Sequence, residues 1–294
     1  MFSYLRKYFR KHLWLRQFIA YHLAPSGFFD RYFRNYKLSP YWKNRVDEVL
    51  ACEDNAAIPR VGNAGVIKGG KQVMHNGLKV NLGSYYGPEY AKMLLLSKGV
   101  HEPQEERIFM EALKGLPAGA VMIELGAFWS FYSMWFNKEV AGAVNIMVEP
   151  DAFNIGQGKR NFKLNGMRGE FIQAFIGKDQ NAGNKTLSID KLVKERDISF
   201  IHMLHSDIQG YEYEMLVGAE TTLHENKVGY LFISTHSNEV HYKCVNLLEQ
   251  KKYLIICSID LNETFSEDGL IVARNRQFNG IDCIPVQKKT AHAN

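Results

Sequence analysis

Short apolar runs that recur along the last two thirds of the chain constrain its fold more than any other feature of the sequence. From residue 105 onward, runs of strand character alternate with helical stretches at intervals of roughly 20–30 residues. Apolar strands separated by helices form a mostly parallel sheet covered on both faces, so we predict an α/β fold. The predicted strands are residues 120–125, 144–148, 170–175, 200–204, 230–234, 253–257 and 269–273.

The lengths of the connections predict two hairpins. The run 269–273 follows its predecessor after only about a dozen residues, which predicts a hairpin and an antiparallel strand at the edge of the sheet. Further upstream, Asn76-Gly77 stands between alternating segments of residues 71–80, and this pair is typical of a tight hairpin turn. A helical pattern over residues 105–116 precedes the first strand of the sheet.

Length and composition exclude several classes of protein. The chain has 294 residues, of which 46% are apolar and 23% are charged, as in folded proteins with a sizeable core. No stretch reaches the ~18–20 consecutive apolar residues of a membrane span, and we find no secretory signal. The four cysteines form no CxxC pair, which indicates reduced thiols. We therefore expect a cytoplasmic protein.

Positive charge is concentrated at the N-terminus. Residues 1–45 hold ten lysines and arginines against one acid, Asp30, a net charge of +9, whereas the remaining 249 residues carry −4. Aromatic residues lie between the cations, in a helical pattern that we predict to break near Pro25 and to end around Pro40. Three interpretations stay open: contact with an anionic membrane surface, binding of nucleic acid, or packing on the body or another subunit. No RNA-binding signature supports the second.

The first strand of the predicted sheet ends in a loop suited to a nucleotide-like ligand. The sequence there reads Glu124-Leu-Gly-Ala-Phe-Trp-Ser130, and a helical stretch follows. Gly126 at the carboxyl end of a strand lets the backbone turn sharply and approach a ligand closely. Glu124 and Ser130 replace the outer glycines of a dinucleotide fingerprint. An acid at the first position suits a cationic amino-acid ligand better than a pyrophosphate.

A second acid follows at the end of the next strand. The second strand ends in Glu149-Pro-Asp151, 25 residues after Glu124. An acid about 20 residues after the glycine loop, at the tip of the second strand, is placed to bind ribose hydroxyls. The two strand ends together predict a ligand that carries a ribose.

Four blocks of sequence in one order resemble the motifs of the FkbM family of S-adenosylmethionine-dependent methyltransferases. The resemblance spans about residues 100–275, and four blocks in register are more specific than any one of them. It implies a Rossmann-like class I methyltransferase fold with a mostly parallel seven-stranded sheet and an antiparallel last strand. It also implies O-methylation, often of sugar or polyketide hydroxyls. The blocks are Ile123–Ala127, Val148–Asp151 with Arg160–Gly166, Leu187–Asp190 and Ser206–Glu212.

The resemblance also implies a set of residues that bind the cofactor, S-adenosylmethionine. The loop after the first strand would hold it, the acid after the second strand would bind its ribose, and the end of the third strand would contact its adenine. Ring faces attract cations, so the rings of Trp129, Tyr132 and Trp135 would suit the sulfonium, although helical packing explains this stripe equally well. The implied cofactor-binding residues are Glu124, Gly126, Ala127, Glu149, Gln173 and Ala174.

Two positions depart from the family's pattern. Ser130 stands where the cofactor loop usually has glycine, and His205 stands where the fourth strand usually has lysine. Serine is small, so cofactor binding is still expected. His205 removes a permanent cation and introduces a ligand or a base. The first 100 residues lie outside the resemblance, and we expect them to shape substrate access.

Methyl transfer to a sugar hydroxyl needs a group that removes the hydroxyl proton, because such a hydroxyl is a very weak acid. Asp207 and His236 follow the fourth and fifth strands, and strand alternation places His205 on the face of Asp207. We predict His236 as the general base, since imidazole titrates in the useful range, and Asp207 as the group that orients it or the substrate. In a second version, Asp207 and His236 hold a divalent metal ion that activates the hydroxyl.

These features predict an S-adenosylmethionine-dependent O-methyltransferase that acts on a hydroxyl of a sugar or glycan. Its catalytic domain would comprise residues 105–285, residues 51–104 would form a substrate-access region with the hairpin, and residues 1–50 a basic aromatic helical segment. That segment would place the enzyme beside the inner face of a membrane. Two alternatives stay open. One is a non-catalytic protein of the same fold that docks through its N-terminus. The other is a dinucleotide oxidoreductase, against which Glu124 and the missing glycines argue.

Overall fold

The computed structural model describes residues 17–178 and 186–290, and it contains one large sheet and two small ones. Within these ranges the strands are β1 (Ile67–Lys68), β2 (Lys71–Val73), β3 (Lys79–Asn81), β4 (Val121–Leu125), β5 (Val144–Val148), β6 (Glu170–Ile172), β7 (Phe175–Ile176), β8 (Thr186–Leu187), β9 (Ile201–Ser206), β10 (Val228–Thr235), β11 (Leu254–Ile259) and β12 (Gly269–Arg274). A π-helix (Ile19–Leu23) and a 3-10 helix (Ala24–Ser26) come first. The α-helices are α1 (Asp30–Arg34), α2 (Pro40–Ala51), α3 (Glu53–Ala57), α4 (Pro88–Leu96), α5 (Pro103–Leu113), α6 (Phe131–Glu139), α7 (Ala152–Leu164), α8 (Ile189–Glu195), α9 (Glu212–Val217), α10 (Glu220–His224) and α11 (Asn238–Gln250).

The large sheet has seven strands in the order β11-β12-β10-β9-β4-β5-β6. Neighbouring strands from β10 to β6 pair in parallel, whereas β12 runs antiparallel to both β10 and β11. The predicted mostly parallel seven-stranded sheet with an antiparallel last strand is therefore confirmed. The hairpin between β11 and β12 is also present.

The predicted position of the antiparallel strand at the edge of the sheet is wrong. Strand β12 lies inside the sheet, between β10 and β11, and β11 forms the edge. A hairpin fixes only that its two strands are neighbours, and it leaves open which of them pairs with the rest of the sheet. The burial agrees with the observed order, because all six residues of β12 are buried, whereas half of the residues of β11 are only partly buried.

The bounds of the strands agree with prediction to within about two residues, with one exception. The run 170–175 is divided, because Glu170–Ile172 joins the large sheet and Phe175–Ile176 pairs with β8 in a separate ladder. The helix predicted over residues 105–116 is observed at Pro103–Leu113. Its earlier start is typical of proline, which lacks an N–H and fits the first helical turn.

Side-chain alternation along the strands sends apolar groups into two separate cores. On β4, Met122 belongs to the core that also contains side chains of α5 and α6, such as Phe109 and Phe131. Ile123 and Leu125 belong to the other core, which contains side chains of α8, α9 and α11. The sheet is thus covered on both faces, which leaves its edges and strand ends as places for a ligand.

The N-terminal part differs from prediction at one point. A helix was expected to end around Pro40, but α2 begins there, with the Oγ of Ser39 accepting a hydrogen bond from the N–H of Trp42. Serine is a favoured N-cap residue, and the fixed φ angle of proline suits the first position of a helix. The break expected near Pro25 is present, because the 3-10 helix Ala24–Ser26 ends at Gly27, which has a φ of +85°. Residues 1–16, with half of the basic segment's cations, lie outside the described ranges.

The predicted segments 1–50 and 51–104 share an apolar cluster. Side chains from both segments form it, among them Phe33, Ile67 and Leu82. The predicted hairpin at Asn76-Gly77 joins β2 to β3 in antiparallel pairing. Asp30 links the segments further, because its carboxylate accepts hydrogen bonds from the N–H groups of Gly69 and Gly70. In the described parts of the chain, no helix is long and apolar enough to cross a membrane.

Candidate functional site

A cleft of about 2430 Å³ lies at the carboxyl edge of the large sheet. The ends of β4, β5 and β9 contribute Gly126, Glu149 and Asp207 to it, and residues 28–42 and 83–90 supply much of the remaining lining. Small-molecule pockets usually measure about 300–1,000 Å³. The cleft is therefore large enough for a cofactor and a second, sizeable ligand.

The loop after β4 approaches the end of β9 so closely that only glycine fits at its turn. Gly126 has a φ of +71°, and a Cβ there would overlap the carbonyl oxygen of Asp207. The N–H groups of Gly126 and Ala127 donate to the carbonyl of Val148, at 2.9 and 3.1 Å, and the N–H of Asp207 donates to Leu125 at 3.0 Å. The loop is thus held between β5 and β9.

Ser130, which replaces the expected glycine, adopts the backbone conformation that glycine favours. Its φ is +61°, in the left-handed region. Its Oγ is buried without a hydrogen-bond partner in the structure and lies against α7, where a Cβ on Gly158 would overlap it. The additional side chain at Ser130 is therefore accommodated by the absence of one at Gly158.

The two acids predicted for cofactor binding are both buried and both line the cleft. The carboxylate of Glu124 accepts a hydrogen bond from the N–H of Ser133 at 3.2 Å, and burial raises the pKa of Glu124 to about 7. The carboxylate of Glu149 accepts hydrogen bonds from the N–H groups of Phe128 and Asp151, and burial raises its pKa as well. An adjacent cationic or hydroxyl group would stabilise either carboxylate.

Of the other residues predicted to contact the cofactor, some line the cleft and others do not. Ala174 lines the cleft, whereas Gln173 is not part of the lining, and its amide donates to the carbonyl of Pro150 at 3.1 Å. Trp129 and Tyr132 line the cleft. Trp135 instead lies in the core, with its ring centroid 4.6 Å from that of His75.

Asp207 and His236 lie next to each other, as their strand positions predicted, and Asp268 joins them. The Nε2 of His236 is 3.3 Å from Asp207 Oδ1 and 3.4 Å from Asp268 Oδ1, and its Nδ1 is 2.9 Å from Glu212 Oε1. Asp207 and Gln209 line the cleft, whereas His236 lies outside its lining. The Nε2 of Gln209 reaches both Asp207 and His236.

The charges of this cluster are strongly coupled. Burial alone would lower the pKa of His236, but Asp207, Glu212 and Asp268 outweigh it and raise that pKa to about 10. Burial, together with the charge of Asp207, raises the pKa of Asp268 to about 7. An imidazole surrounded in this way keeps its proton at neutral pH unless another cation takes its place.

His205 forms a buried pair with an acid that precedes the sheet. Its Nε2 lies 2.7 Å from Oε1 of Glu105 on α5, and its ring centroid lies 4.3 Å from that of Tyr132. Burial would lower the pKa of His205, but the charge of Glu105 raises it. His205 contributes to the cleft lining, and the second oxygen of Glu105 accepts from Ser234.

A further group of buried acids and histidines is absent from the sequence predictions. Glu106 on α5 lies between His75 and His101, at 3.1 and 2.7 Å. The other nitrogen of His101 is 3.2 Å from Glu102, which also accepts a hydrogen bond from Tyr132 at 2.8 Å. The available signal was the run His101-Glu-Pro-Gln-Glu-Glu106, which concentrates charge where α5 begins to pack on the sheet.

Aromatic rings form much of the cleft lining away from the sheet. Tyr85 stacks on Trp129 with ring centroids 4.2 Å apart, and Tyr86 stacks on Tyr90 at 5.0 Å. Several rings that line the cleft stay at least 46% exposed, which is unusual for large apolar groups. They are Phe28, Tyr32, Tyr41, Tyr86, Phe175 and Tyr211.

Some solved structures are similar to part of this chain. TrmK of M. capricolum, bound to S-adenosyl-homocysteine, is 11% identical, with 58% of this chain and 69% of that chain covered at a TM-score of 0.42. Precorrin-6y C5,15-methyltransferase from Geobacter metallireducens is 14% identical, with 56% of this chain and 84% of that chain covered at a TM-score of 0.41. A ribosomal protein L11 methylase from Lactobacillus delbrueckii subsp. bulgaricus is 12% identical, with 60% of this chain and 81% of that chain covered at a TM-score of 0.42. Likeness at this level carries no argument about activity or substrate.

Comparison with protein families gives a more specific result. The sequence has no match among curated proteins. Residues 184–255, which include β9 and β10 and the Asp207–His236 pair, match the methyltransferase FkbM domain. The match confirms the resemblance drawn from the motifs, and S-adenosylmethionine as cofactor agrees with it. The chain is therefore similar to FkbM methyltransferases over 72 of its 294 residues.

Proposed function

We propose that this chain is an O-methyltransferase that transfers the methyl group of S-adenosylmethionine to a hydroxyl of a sugar or glycan. One observation carries the proposal. A single cleft contains the Gly126 loop, the carboxylate of Asp207 and a long aromatic lining. Cofactor, proton acceptor and a second ligand therefore have room to meet in one space.

The loop after β4 fits the cofactor. At Gly126 the backbone faces the cleft without a side chain, and Glu124 and Glu149 present buried carboxylates beside it. Glu124 would pair with the amino group of S-adenosylmethionine, and Glu149 would accept hydrogen bonds from its ribose hydroxyls. When bound, the cofactor supplies an electrophilic methyl group on a sulfonium centre.

Asp207 would take up the proton of the acceptor hydroxyl. It lines the cleft and is placed to accept a hydrogen bond from that hydroxyl, whereas His236 supports Asp207 at 3.3 Å. Because the neighbouring carboxylates raise the pKa of His236 to about 10, we assign the basic role that the sequence suggested for His236 to Asp207, and we assign His236 to its support. His205 is held by Glu105 and acts as a positioning residue below Tyr132.

The aromatic lining and its acids suit a sugar or glycan. Flat rings such as Tyr86 and Tyr90 offer rigid apolar faces, to which the CH faces of a sugar ring can pack. The cleft also contains Glu89, Glu102 and Glu267. Ionised carboxylates only accept hydrogen bonds, so they can bind the hydroxyl groups of a sugar. A large cleft with both features favours an acceptor with several sugar units.

Cofactor binding is tested first by calorimetric titration of the wild-type chain and of Glu149→Gln with S-adenosylmethionine. Saturable wild-type binding that weakens at least tenfold in the variant, or at least ~1.4 kcal/mol, supports the assigned site. Asp190→Asn is a matched control, because Asp190 caps a turn on α10 away from the cleft. Equal affinities in all three proteins would contradict the site.

Acceptor chemistry is tested by transfer of labelled methyl from S-adenosylmethionine to oligosaccharides and, in parallel, to transfer RNA. We expect incorporation into the sugar, at a position that is lost in the corresponding deoxy-sugar. Asp207→Asn should lower kcat at least a hundredfold, since an amide accepts no proton, and should change the cofactor Kd less than threefold. Methyl groups found only on nitrogen, carbon or RNA would refute the proposal. Cofactor binding without any turnover would favour the non-catalytic alternative.

We also propose that the basic N-terminal segment contacts an anionic membrane surface at the inner face. Of its cations, Arg34 donates to the carbonyl of Ile67 and Arg45 is buried against Glu48, so these two hold the fold together. The cations nearer the N-terminus would therefore be the ones that contact the membrane. The full chain should sediment with vesicles that contain phosphatidylserine, but not with neutral vesicles, and reversal of Arg6 and Lys7 to glutamate should reduce this binding. Equal sedimentation with both vesicles would remove the idea.

A further inference from the structure

We propose that Asp207, His236 and Asp268 form a binding site for one divalent cation of the Mg²⁺ or Mn²⁺ class. The ion binding itself is inferred from geometry and charge, whereas its catalytic use rests on the proposed function. Sequence patterns had suggested only two ligands, which do not make a site. The third ligand, Asp268, comes from a part of the sequence that no motif marked.

The spacing of the three side chains fits a single ion. One ligand atom from each lies within 4.8 Å of the others, and the two distances from His236 Nε2 to the carboxylates are 3.3 and 3.4 Å. Neighbouring ligands around an octahedral Mg²⁺, with bonds of about 2.1 Å, lie about 3 Å apart. Small side-chain movements would close the site around an ion.

The sheet topology explains why these residues meet. Asp207 follows β9, His236 follows β10, and Asp268 directly precedes β12, and these three strands are neighbours in the sheet. Because β12 runs antiparallel to β10, its first residue lies at the same edge as the last residues of β9 and β10. Three adjacent strands thus each present one ligand at one edge.

A buried carboxylate orients the histidine from behind. Glu212 is fully buried, and its Oε1 lies 2.9 Å from His236 Nδ1. This contact directs Nε2 toward Asp207 and Asp268. Metal-binding histidines usually bond a carboxylate or carbonyl through their second nitrogen in this way, which fixes the tautomer and raises ligand basicity. The Oε2 of Glu212 is also buried and has no hydrogen-bond partner in the structure.

The charges of the cluster also call for a cation. Three carboxylates, those of Asp207, Glu212 and Asp268, surround one imidazole. Among the residues that the structure describes, no lysine or arginine forms an ion pair with any of the three. Glu212 is buried and the two aspartates are partly buried, and carboxylates withdrawn from water are costly unless a positive group balances them. A divalent ion would supply that balance, and it would replace the contacts that the Gln209 amide makes with Asp207 and His236.

The site borders the space proposed for the acceptor. Asp207 lines the large cleft, and Asp268 lines a small adjoining cavity together with Glu102. Three protein ligands leave open positions on an octahedral ion. An acceptor hydroxyl bound there would lose its proton more readily, because a bound cation stabilises the oxyanion.

The test uses Mn²⁺ and the full chain, after dialysis against a chelator and then against metal-free buffer. Free Mn²⁺ is measured by electron paramagnetic resonance during titration. We expect one saturable site per chain, at least tenfold weaker in Asp268→Asn and in His236→Gln, and 10–100-fold weaker in Glu212→Gln. The matched control is Glu239→Gln, an exposed acid on α11 that pairs with Lys243. Absence of saturable binding up to 1 mM Mn²⁺ (about −4.1 kcal/mol), or equal affinity in all variants, overturns the site.

A second measurement avoids variants that fail to fold. Pulsed electron paramagnetic resonance of the Mn²⁺-loaded wild-type chain should detect coupling to an imidazole nitrogen. A bound ion without nitrogen coupling contradicts the assignment. The proposed function is tested separately, by methyl transfer with and without chelator. Turnover unaffected by chelator, with no Mn²⁺ bound, rejects the ion site alone. Mn²⁺ binding at these residues without any methyl transfer supports the ion site and rejects the proposed function.

Discussion

At the scale of single residues, the loop that we propose for the cofactor depends on backbone space more than on side chains. Gly126 combines a φ of +71° with a carbonyl oxygen at the place where its Cβ would be. Left-handed backbone costs other residues roughly 1–2 kcal/mol, and the overlap with Asp207 adds a separate cost. The two effects can be separated, because Gly119 has a φ of +77° and a Cβ on it would meet no atom within 4 Å.

We predict that Gly126→Ala lowers the free energy of unfolding by about 2–5 kcal/mol and abolishes cofactor binding. Gly119→Ala, which has the same kind of backbone strain in open space, should cost about 1–2 kcal/mol and leave cofactor affinity unchanged. Urea denaturation and calorimetric titration measure both quantities. Equal destabilisation by the two substitutions would show that the contact with Asp207 is unimportant.

Ser130→Gly should stabilise the protein. Ser130 has a left-handed backbone and a buried hydroxyl without a partner, so glycine removes backbone strain and an unsatisfied polar group at once. We expect a gain of about 1 kcal/mol. Ser130→Ala keeps the strain and removes only the hydroxyl, so its gain should be smaller. Denaturant unfolding compares the three proteins, and a loss of stability in Ser130→Gly would contradict this account.

At the scale of elements, α5 joins the large sheet to the hairpin β2–β3 through buried charges. Glu106 contacts His75 beyond β2 and His101 before the helix, and Glu105 contacts His205 on β9. The carboxylates and imidazoles are buried, so each depends on its partner for compensation. The pKa of Glu106 is held well below its usual range, since His101 and His75 outweigh the effect of burial.

Glu106→Gln is predicted to lower the free energy of unfolding by about 3–5 kcal/mol, because it leaves buried imidazoles without their counter-charge. Glu111→Gln on the same helix removes a partly exposed acid that pairs with Arg107 and Lys114. It should cost less than about 1 kcal/mol. Urea denaturation at pH 7 provides the comparison. Similar costs for both variants would mean that the buried network contributes little.

The same network makes stability depend on pH. Burial would lower the pKa of His101, but Glu102 and Glu106 raise it to about 10, against an ordinary value of 6.5. Folding therefore takes up a proton at His101 between these values. Its contribution is complete below about pH 6.5 and is lost as the pH rises through 10.

In urea denaturation between pH 6 and 10, the wild-type chain should lose stability more steeply than His101→Gln, by up to about 1.4 kcal/mol per pH unit. His224→Gln changes an exposed histidine on α10 and should follow the wild-type curve. Parallel curves for His101→Gln and the wild type would show that His101 holds no additional proton in the folded state.

At the scale of the whole molecule, the cleft lies where residues 28–42 and 83–90 meet the carboxyl edge of the sheet. A ligand in this cleft touches several parts of the chain at once. Ligands that bind only the folded state stabilise it by mass action, by about 2.7 kcal/mol at a hundredfold excess over Kd. Thermal stability is therefore a direct readout of which ligand the whole fold accepts.

We predict that S-adenosylmethionine and S-adenosyl-homocysteine raise Tm by roughly 5–10 °C at a hundredfold excess over Kd. A nicotinamide dinucleotide should leave Tm unchanged, because Glu124 opposes a pyrophosphate at the loop. Differential scanning calorimetry provides the measurement. A shift with the dinucleotide alone would revive the oxidoreductase alternative.

Local patterns predicted most of the strands and the tight turn at Gly126. Apolar strands, tight turns and the glycine at 126 depend on near neighbours in the chain, so they can be recognised without knowledge of the fold. The interior place of β12 and the division of the run 170–175 depend on which strands become neighbours. No local period encodes that choice. The start of α2 at Pro40 was missed because proline was taken as an end rather than as a first helical residue.

The sequence by itself determined the α/β architecture, the loop at Gly126 and the acid at Glu149, since each follows from residue types at fixed spacing. Only the tertiary structure decided which charges meet. Asp268 joins Asp207 and His236 because β12 lies beside β10 in the sheet. Glu212, which follows β9 in the chain, contacts the other nitrogen of His236. Electrostatic interactions depend on distance and burial rather than on separation along the chain. The proton that His236 holds, and the cation that we propose in its place, are therefore consequences of the folded arrangement.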